Sequence, residues 1–293
     1  MRRRLPIAVL ALLAWPSLGA AQDFDAVEIR TTPIRDSIFL LQGSGGNIAV
    51  SAGADGTLMI DDQFAPLTEK IVAAIAKSTD DPVRIVVNTH WHYDHTDGNV
   101  NFGRAGALLV SHVNSRKRLT SRQVVSLNNR VQEAYDEDGL PKLTFYRSMR
   151  LHWNDNVIDI VHLPNAHTDG DAAVYFRDAN VLHTGDVFTR SALPFIDQPN
   201  GGSIDGMIDA AWTLAGLIDD DTVVVPGHGP LSTRADLLAH RDKLITIRDR
   251  IRSHIEMGHS ADQVVAAHPE EGYAEPGPGT ERWVRAAYEE LSR

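Results

Sequence analysis

The chain of 293 residues contains no cysteine. This absence excludes disulfide bonds, thiolate nucleophiles and cysteine-ligated metals, so any metal chemistry must use histidine and carboxylate groups. Basic residues are also scarce relative to acidic ones, since 28 Lys and Arg stand against 39 Asp and Glu and give a net charge of −11. That charge argues against a nucleic acid partner. The composition is otherwise that of a folded globular protein, with 43% hydrophobic residues.

The first 21 residues have the pattern of an export signal. Arginines occupy positions 2–4, an apolar run follows at 5–18, and the small residues at 19–21 offer a cleavage site. The apolar run is too short to span a bilayer comfortably, and no later segment is long and apolar enough to do so. We therefore expect residues 1–21 to be a cleaved signal peptide, by the general secretory or the twin-arginine route. Residues 22–293 are then one domain in the bacterial periplasm or outside the cell, without stable membrane insertion.

Short apolar runs separated by turn residues predict two sets of strands. In the first half, strands are predicted at 37–41, 47–50, 57–60, 84–87 and 107–110, with a helix at 66–79. In the second half, strands are predicted at 157–163, 172–176, 180–183 and 222–225, with a helix at 204–218 and a largely helical tail. This repeated order indicates two similar lobes with packed sheets inside and helices outside. The polar stretch 114–139 forms either a lid or a surface helix.

Histidine and aspartate residues cluster directly after several of these strands. His90 and His92 are two positions apart on extended chain, so both imidazoles can meet one metal ion. Asp94 and His95 follow within one turn and can reach a second ion beside it. Three more candidate ligands each come after a predicted strand, namely His167, Asp186 and His228. Nitrogen and oxygen ligands without thiolate suit zinc, and the same set accepts iron or manganese.

With these motifs, the chain resembles the metallo-β-lactamase fold superfamily over roughly residues 35–230 and the helical tail. The resemblance implies an α/β fold, a four-layer αββα sandwich with a helical C-terminal tail and with metals at one edge. It also implies two zinc ions per chain. The first is held by His90, His92 and His167, the second by Asp94, His95 and His228, and Asp186 bridges the two.

This ligand set leads us to expect a hydrolase that acts on a small molecule. Zinc lowers the pKa of bound water to about 7, so a metal-bound hydroxide would attack the substrate, while Asp94 orients the nucleophile and passes its proton onward. The expected substrate is a cyclic amide, ester or lactone, with β-lactams as the leading named candidate.

Asp186 is a departure from true β-lactamases, which carry Cys or Ser at this position. A bridging aspartate is instead similar to glyoxalase II, the acyl-homoserine lactonases and tRNA-processing nucleases. Two alternatives therefore stay open: a lactonase or thioesterase-type hydrolase without β-lactamase activity, and a non-catalytic periplasmic zinc-binding accessory protein. The oligomeric state cannot be read from the sequence.

Several neighbouring residues have more than one interpretation. Asp61 and Asp62 either orient a ligand or begin a turn, and His162 and His183 serve packing or support a ligand. An apolar substrate wall is expected from Phe64, Trp91, Tyr93 and the loop 188–202, into which Arg190 could reach. The basic residues at 116–118 and 122 are expected on a solvated helix face.

Overall fold

The structure is a computed structural model that describes residues 23–293, and the expected signal peptide lies outside the described residues. The strands in chain order are β1 (Arg30–Arg35), β2 (Ile38–Gln42), β3 (Ile48–Ser51), β4 (Thr57–Ile60), β5 (Val83–Val87), β6 (Leu108–His112), β7 (Gln123–Val125), β8 (Arg130–Gln132), β9 (Leu143–Phe145), β10 (Ser148–Trp153), β11 (Asn156–Leu163), β12 (Asp171–Phe176), β13 (Val181–His183) and β14 (Val223–Val225). The α-helices are α1 (Thr68–Ile75), α2 (Tyr93–Thr96), α3 (Asn99–Arg104), α4 (Val113–Leu119), α5 (Ile204–Leu217), α6 (Arg234–Glu256), α7 (Ala261–Ala266) and α8 (Pro278–Leu291).

Two mixed sheets form the centre of the fold. The first has the order β1-β2-β3-β4-β5-β6-β9 and the second the order β10-β11-β12-β13-β14, while β7 and β8 form a separate hairpin. In the first sheet, β4, β5, β6 and β9 are parallel neighbours, and in the second only β13 and β14 are parallel. The parallel strands therefore end together at one edge of each sheet, and this edge carries the candidate site.

Three apolar clusters separate four layers. The inner faces of the two sheets pack on each other through residues such as Leu40, Val87, Ile160 and Val174. The outer face of the first sheet is covered by α1 and α3, and that of the second sheet by α5 and α6. The predicted four-layer αββα sandwich and its helical C-terminal tail are thus confirmed. Among residues 23–293, no helix combines the length and the apolarity that a bilayer crossing needs.

Some elements differ from the prediction. Our prediction from the sequence missed strands β1, β7, β8, β9 and β10, and the helix predicted at 66–79 is a 3₁₀ turn at Ala65–Leu67 followed by the shorter α1. The stretch 114–139 is not one surface helix. It contains most of α4 and the hairpin β7–β8, which is anchored by Val125 packing in a cluster with Trp91 and by Gln132, whose amide donates a 3.0 Å hydrogen bond to the Trp91 carbonyl.

Candidate metal centre

The predicted ligands all lie just beyond strand ends, at one edge of the sandwich. Strand β5 leads into His90 and His92, and the short α2 that follows carries Asp94 and His95. The other three occupy loops after strands of the second sheet, with His167 after β11, Asp186 after β13 and His228 after β14. The structure therefore brings together all seven residues that the sequence singled out.

Three imidazoles form the first donor set. His92 Nδ1 lies 3.2 Å from His90 Nε2 and 2.9 Å from His167 Nε2, and all three side chains are buried. The opposite nitrogen of each ring has an acceptor: Thr89 Oγ1 for His90, the Asp197 carboxylate for His92 and the Phe195 carbonyl for His167. Since those contacts take the ring protons, three lone pairs face one another, which is the arrangement that a cation satisfies.

A second donor set lies beside the first. His95 Nε2 is 3.2 Å from His228 Nε2 and 3.7 Å from Asp94 Oδ2, and the latter oxygen is 3.4 Å from His228 Nε2. His228 and Asp94 are partly exposed, with side-chain exposures of 36% and 23%. This side of the site is therefore open to solvent, as access for water and substrate requires.

Asp186 lies between the two sets. Its Oδ1 is 3.3 Å from His95 Nε2, and its Oδ2 is 3.4 Å from His228 Nε2 and 3.8 Å from His167 Nε2. The buried Oδ1 makes no hydrogen bond of normal geometry within the described residues. A carboxylate oxygen so placed needs a cation, and the position next to both sets suits a shared ligand.

In the first donor set and at Asp186, the side chains are in the charge states that bind metal. Burial lowers the pKa of His90 well below its ordinary value, and burial together with His92 lowers that of His167 to about 4, so both rings are neutral at pH 7. Burial would raise the pKa of Asp186, but His228 and His95 outweigh it and hold this pKa well below the ordinary value. Asp186 is therefore ionised. Neutral imidazole and ionised carboxylate are the required ligand states.

The carboxylates also retain positive charge at the second donor set. Burial lowers the pKa of His95, yet Asp186, Asp94 and Asp61 outweigh it and raise this pKa well above its ordinary value. The same balance, with Asp186 as the main carboxylate, raises the pKa of His228 to about 10. A divalent cation would replace these protons and satisfy the same carboxylates, so the residues present fit a metal centre.

Close backbone approach makes room for these side chains. A Cβ on Gly46 would overlap the His95 ring, and a Cβ on Gly227 would overlap Asp186 Oδ1. Neither glycine has a positive φ, so the requirement comes from space and not from backbone strain. Gly46 is therefore needed for the second donor set to form, and Gly227 for the placement of the shared Asp186 carboxylate.

Two carboxylates hold ligands from outside the donor sets. Asp61 Oδ2 accepts hydrogen bonds from His95 Nδ1 at 2.7 Å and from Thr89 Oγ1 at 2.8 Å. Asp197, which the sequence did not single out, accepts from His92 Nε2 at 2.9 Å. Asp62 instead accepts from the Gly98 amide and touches no ligand ring. Of the two interpretations of Asp61, the orienting role is the one that the contacts support.

His162 and His183 lie outside the donor sets. His183 Nε2 bonds to the Asn47 carbonyl at 3.0 Å, which joins the two sheets. His162 stacks on the ring of His112, with ring centroids 3.6 Å apart. Both side chains therefore have structural contacts of their own.

The expected substrate wall is only partly present. Trp91 and Phe188 are buried in the hydrophobic core, and Arg190 pairs with Asp236 at 2.8 Å instead of reaching into the site. Phe195 does lie beside the ligands, with its ring centroid 5.6 Å from that of His92 and 5.4 Å from that of His167. It is the residue of the loop 188–202 that directly flanks the first donor set with an apolar ring.

The basic residues near α4 are also less solvated than expected. Arg118 pairs with Asp169 at 2.8 Å and donates to Asn200 Oδ1 at 2.7 Å, and Arg116 donates to the Pro141 carbonyl. Lys117 and Arg122 are exposed, as predicted. Arg116 and Arg118 therefore connect α4 to the loops around the site.

Solved structures of known proteins share this fold. The DIM-1 metallo-beta-lactamase superposes with a TM-score of 0.61 at 20% identity, over 75% of this chain and 99% of that one. A metallo-beta-lactamase from Pontibacter korlensis gives 0.60 at 20% identity, over 74% and 98%. The sec-alkylsulfatase Pisa1 from Pseudomonas sp. gives 0.67 at 15% identity, over 91% of this chain and 50% of that one. A search of curated proteins gave no match.

A family model adds evidence from the sequence itself. The model of the metallo-beta-lactamase superfamily matches residues 33–228, about two thirds of the chain and all seven donor residues. The match ends at His228, and the helices α6 to α8 lie beyond it. The chain belongs to the metallo-beta-lactamase superfamily and is a metal-dependent hydrolase.

Proposed function

We propose that the protein is an exported two-zinc hydrolase that opens a cyclic amide, ester or lactone. The observation that carries this proposal is the pair of adjacent donor sets with Asp186 between them, each set having three ring or carboxylate atoms within 4.8 Å of one another. His90, His92 and His167 would hold one ion, Asp94, His95 and His228 the other, and Asp186 both. Zinc suits a centre of imidazole and carboxylate ligands that is open on one side.

Bound zinc ions supply Lewis acidity, which polarises the carbonyl oxygen of the substrate and makes water nucleophilic near neutral pH. The protein's own residues position the reactants. Burial would raise the pKa of Asp94, but His95 and His228 outweigh it and lower the pKa to about 2, so the carboxylate is ionised. With partial exposure, it can accept a hydrogen bond from the attacking water and pass the proton towards the leaving group.

The surroundings favour a substrate without a negative charge next to the scissile bond. Arg190 pairs with Asp236, and the Lys243 ammonium donates to the carbonyl of Ala192, so both of these cations near the loop 188–202 already have a partner. β-Lactam antibiotics carry a carboxylate in that position. The apolar ring of Phe195 suits a lactone or ester, which we place ahead of β-lactams within the proposed class.

Export remains part of the proposal. Its support is the sequence of residues 1–21, with arginines before a short apolar run and small residues at its end. The absence of cysteine from the chain is compatible with an oxidising compartment, where free thiols would be at risk.

The test is hydrolysis by zinc-loaded protein that lacks residues 1–21. A chromogenic cephalosporin, an aromatic lactone and a nitrophenyl ester are each assayed with the wild type, with His92→Ala as the blank and with Asp94→Asn. We expect lactone turnover that falls by about 10²-fold or more in Asp94→Asn, the usual contribution of a proton-transfer group.

The other outcomes separate the alternatives. Cephalosporin turnover that exceeds lactone turnover and is lost in His92→Ala would restore β-lactams as the substrate. If none of the three compounds is hydrolysed although two zinc ions are bound, the proposed substrate class is wrong and the hydrolase acts on another kind of bond.

A further inference from the structure

The chain between Ser191 and Asp197 forms one side of the metal centre. Phe195 lies against the rings of His92 and His167, and its carbonyl accepts a 2.8 Å hydrogen bond from His167 Nδ1. Two residues further on, Asp197 holds His92 Nε2. We call residues 191–197 the wall segment. Its position decides both the orientation of two ligands and the location of the apolar surface beside them.

The wall segment has little support of its own. It lies outside any strand or helix, and within the described structure no backbone amide of residues 191–196 donates to another backbone group. A segment with unpaired backbone amides has low local stability unless other elements hold it. Its conformation must therefore come from contacts with the rest of the chain.

Several of those contacts come from the C-terminal helices. Trp283 of α8 donates its indole N–H to the Pro194 carbonyl at 2.7 Å, and Lys243 of α6 donates to the Ala192 carbonyl at 2.5 Å. The side chain of Leu193 packs into the apolar cluster between α6, α7 and α8. These helices thus bind three successive residues of the wall segment.

The residue directly after the wall segment, Gln198, is also hydrogen-bonded to helix α8. Gln198 donates to the Ala286 carbonyl at 2.9 Å and to Glu290 at 2.7 Å, while the other oxygen of Glu290 accepts from the Ile204 amide at the start of α5. Helix α8 therefore holds the chain on both sides of Phe195 and Asp197. All of these donors and acceptors on α6 and α8 lie beyond residue 228, where the family match ends.

We infer that α8, through Trp283, positions the Phe195 wall and thereby sets which substrates fit beside the metal centre. Trp283 is a positioning residue, because it touches neither the ligands nor the space between them. The C-terminal helices are then a part of the site that lies beyond the family match, whereas the metal ligands lie within it. The kinetic part of this inference rests on the proposed hydrolysis, whereas the structural part does not.

The test compares two tryptophan variants. Trp283→Phe keeps an aromatic ring in place and removes the N–H donor. The matched control is Trp212→Phe on α5, where the indole is 62% exposed and stacks under Arg241. A second variant, Lys243→Met, removes the other donor and keeps a linear side chain up to the position of Cε. It replaces Trp283→Phe in the test if that variant fails to fold.

The first readout is amide hydrogen exchange of the peptide 197–203, whose amides at Asp197, Gly202 and Ser203 are hydrogen-bonded to backbone carbonyls. We expect Trp283→Phe to accelerate this exchange about fivefold, the equivalent of one net hydrogen bond, with no change in Trp212→Phe. Unchanged exchange in both Trp283→Phe and Lys243→Met would overturn the inference, whether or not the protein is active.

The second readout is the split between KM and kcat for two lactones that share a ring and differ in a bulky apolar substituent. We expect Trp283→Phe to raise KM for the bulky lactone about fivefold at nearly constant kcat, and to leave the smaller one within about twofold. An equal loss with both lactones indicates a merely structural role and overturns the inference. If the wild type hydrolyses neither, the proposed function fails and the exchange measurement alone decides the positioning role.

Discussion

The imidazole of His92 donates a 2.9 Å hydrogen bond to Asp197, a residue 105 positions further along the chain. The same carboxylate accepts from Ser126 at 3.0 Å and from Asn200 at 2.8 Å. The buried Asp197 carboxylate therefore joins three parts of the structure, namely the hairpin β7–β8, the loop after β13 and the first donor set. An acceptor on the far nitrogen of a ligating histidine fixes its tautomer and raises its basicity.

We predict that Asp197→Asn lowers the affinity of the protein for one metal ion and leaves its affinity for the other unchanged. The substitution keeps the size of the side chain but removes the charge that holds His92, which belongs to the first donor set alone. The expected loss is about 10- to 100-fold in affinity for that ion. Chelator competition on the purified variant measures both dissociation constants. A variant that binds both ions as the wild type does would show that Asp197 has no orienting role.

Asp61→Asn should lower the affinity of the protein for both ions, because Asp61 is linked by hydrogen bonds to both donor sets. It holds His95 directly, and it accepts from Thr89 Oγ1, which in turn lies 3.0 Å from His90 Nδ1. Asp61 has a φ of 62°, a conformation that Asn tolerates, so the backbone should be unaffected. The same chelator titration applies, with Asp62→Asn as the neighbouring control. Loss confined to one ion would contradict the shared role.

Gly227→Ala should displace Asp186, the carboxylate that the two donor sets share. The added Cβ would overlap Asp186 Oδ1, so that the carboxylate must turn away from His95 and His228. We expect at least a tenfold loss of affinity for one ion, since such rearranged ligand geometry costs about 10- to 100-fold. Gly216→Ala is the control, because its Cβ meets open space on α5 and should stabilise the helix by about 0.5–1 kcal/mol. Isothermal titration with zinc on both variants checks this, and equal binding by the two would refute the crowding argument.

His240 makes the fold sensitive to acid. The ring is buried on α6 and neither nitrogen has a hydrogen-bond partner of normal geometry in the described structure. Burial, and then the charge of Lys243, lower its pKa to about 3. Because the folded pKa lies below the unfolded value near 6.5, the unfolded chain takes up the proton first, and stability is lost as pH falls from about 6.5 towards 3.

We therefore predict that the loss of unfolding free energy between pH 7 and pH 5 is about 2 kcal/mol smaller in His240→Met than in the wild type. Urea unfolding of metal-free protein at the two pH values gives the number, since the metal-site histidines then titrate equally in both proteins. His152→Met, at an exposed position, is the control. Identical pH dependence of His240→Met and wild type would show that His240 is protonated without cost in the fold.

The sequence predicted most of the site because its ligands stand in short motifs after apolar strands. His90, His92, Asp94 and His95 lie within six consecutive positions, and the residues before Asp186 and His228 form recognisable buried strands. Asp197 carries no such local signal, since its partner is distant in sequence and its own loop has no periodicity. Tertiary contacts bring it to His92: its amide donates to the His167 carbonyl at 2.9 Å, and the C-terminal helices pack against its loop.

The missed strands have different causes. β10 alternates half-buried Met149, Leu151 and Trp153 with exposed residues, a period of two that was present in the sequence and could have been found. β1 contains Pro33, which breaks the usual strand pattern at a sheet edge. In the hairpin β7–β8, Asn128 and Asn129 mark the turn, but the strands are only three residues long. Such short pairs form because Val125 and Gln132 bind to the body of the protein around Trp91.

The most direct test of the two-metal centre is the zinc content of wild type and Asp186→Asn, measured by mass spectrometry on equilibrated protein with lactone hydrolysis in parallel. We predict two zinc ions per wild-type chain, with activity that appears only when the second ion is bound. Asp186→Asn should hold at most one ion tightly and be inactive, because it lacks the shared carboxylate. A wild type that is fully active with one ion, or an Asp186→Asn variant that keeps two ions and full activity, would contradict the account.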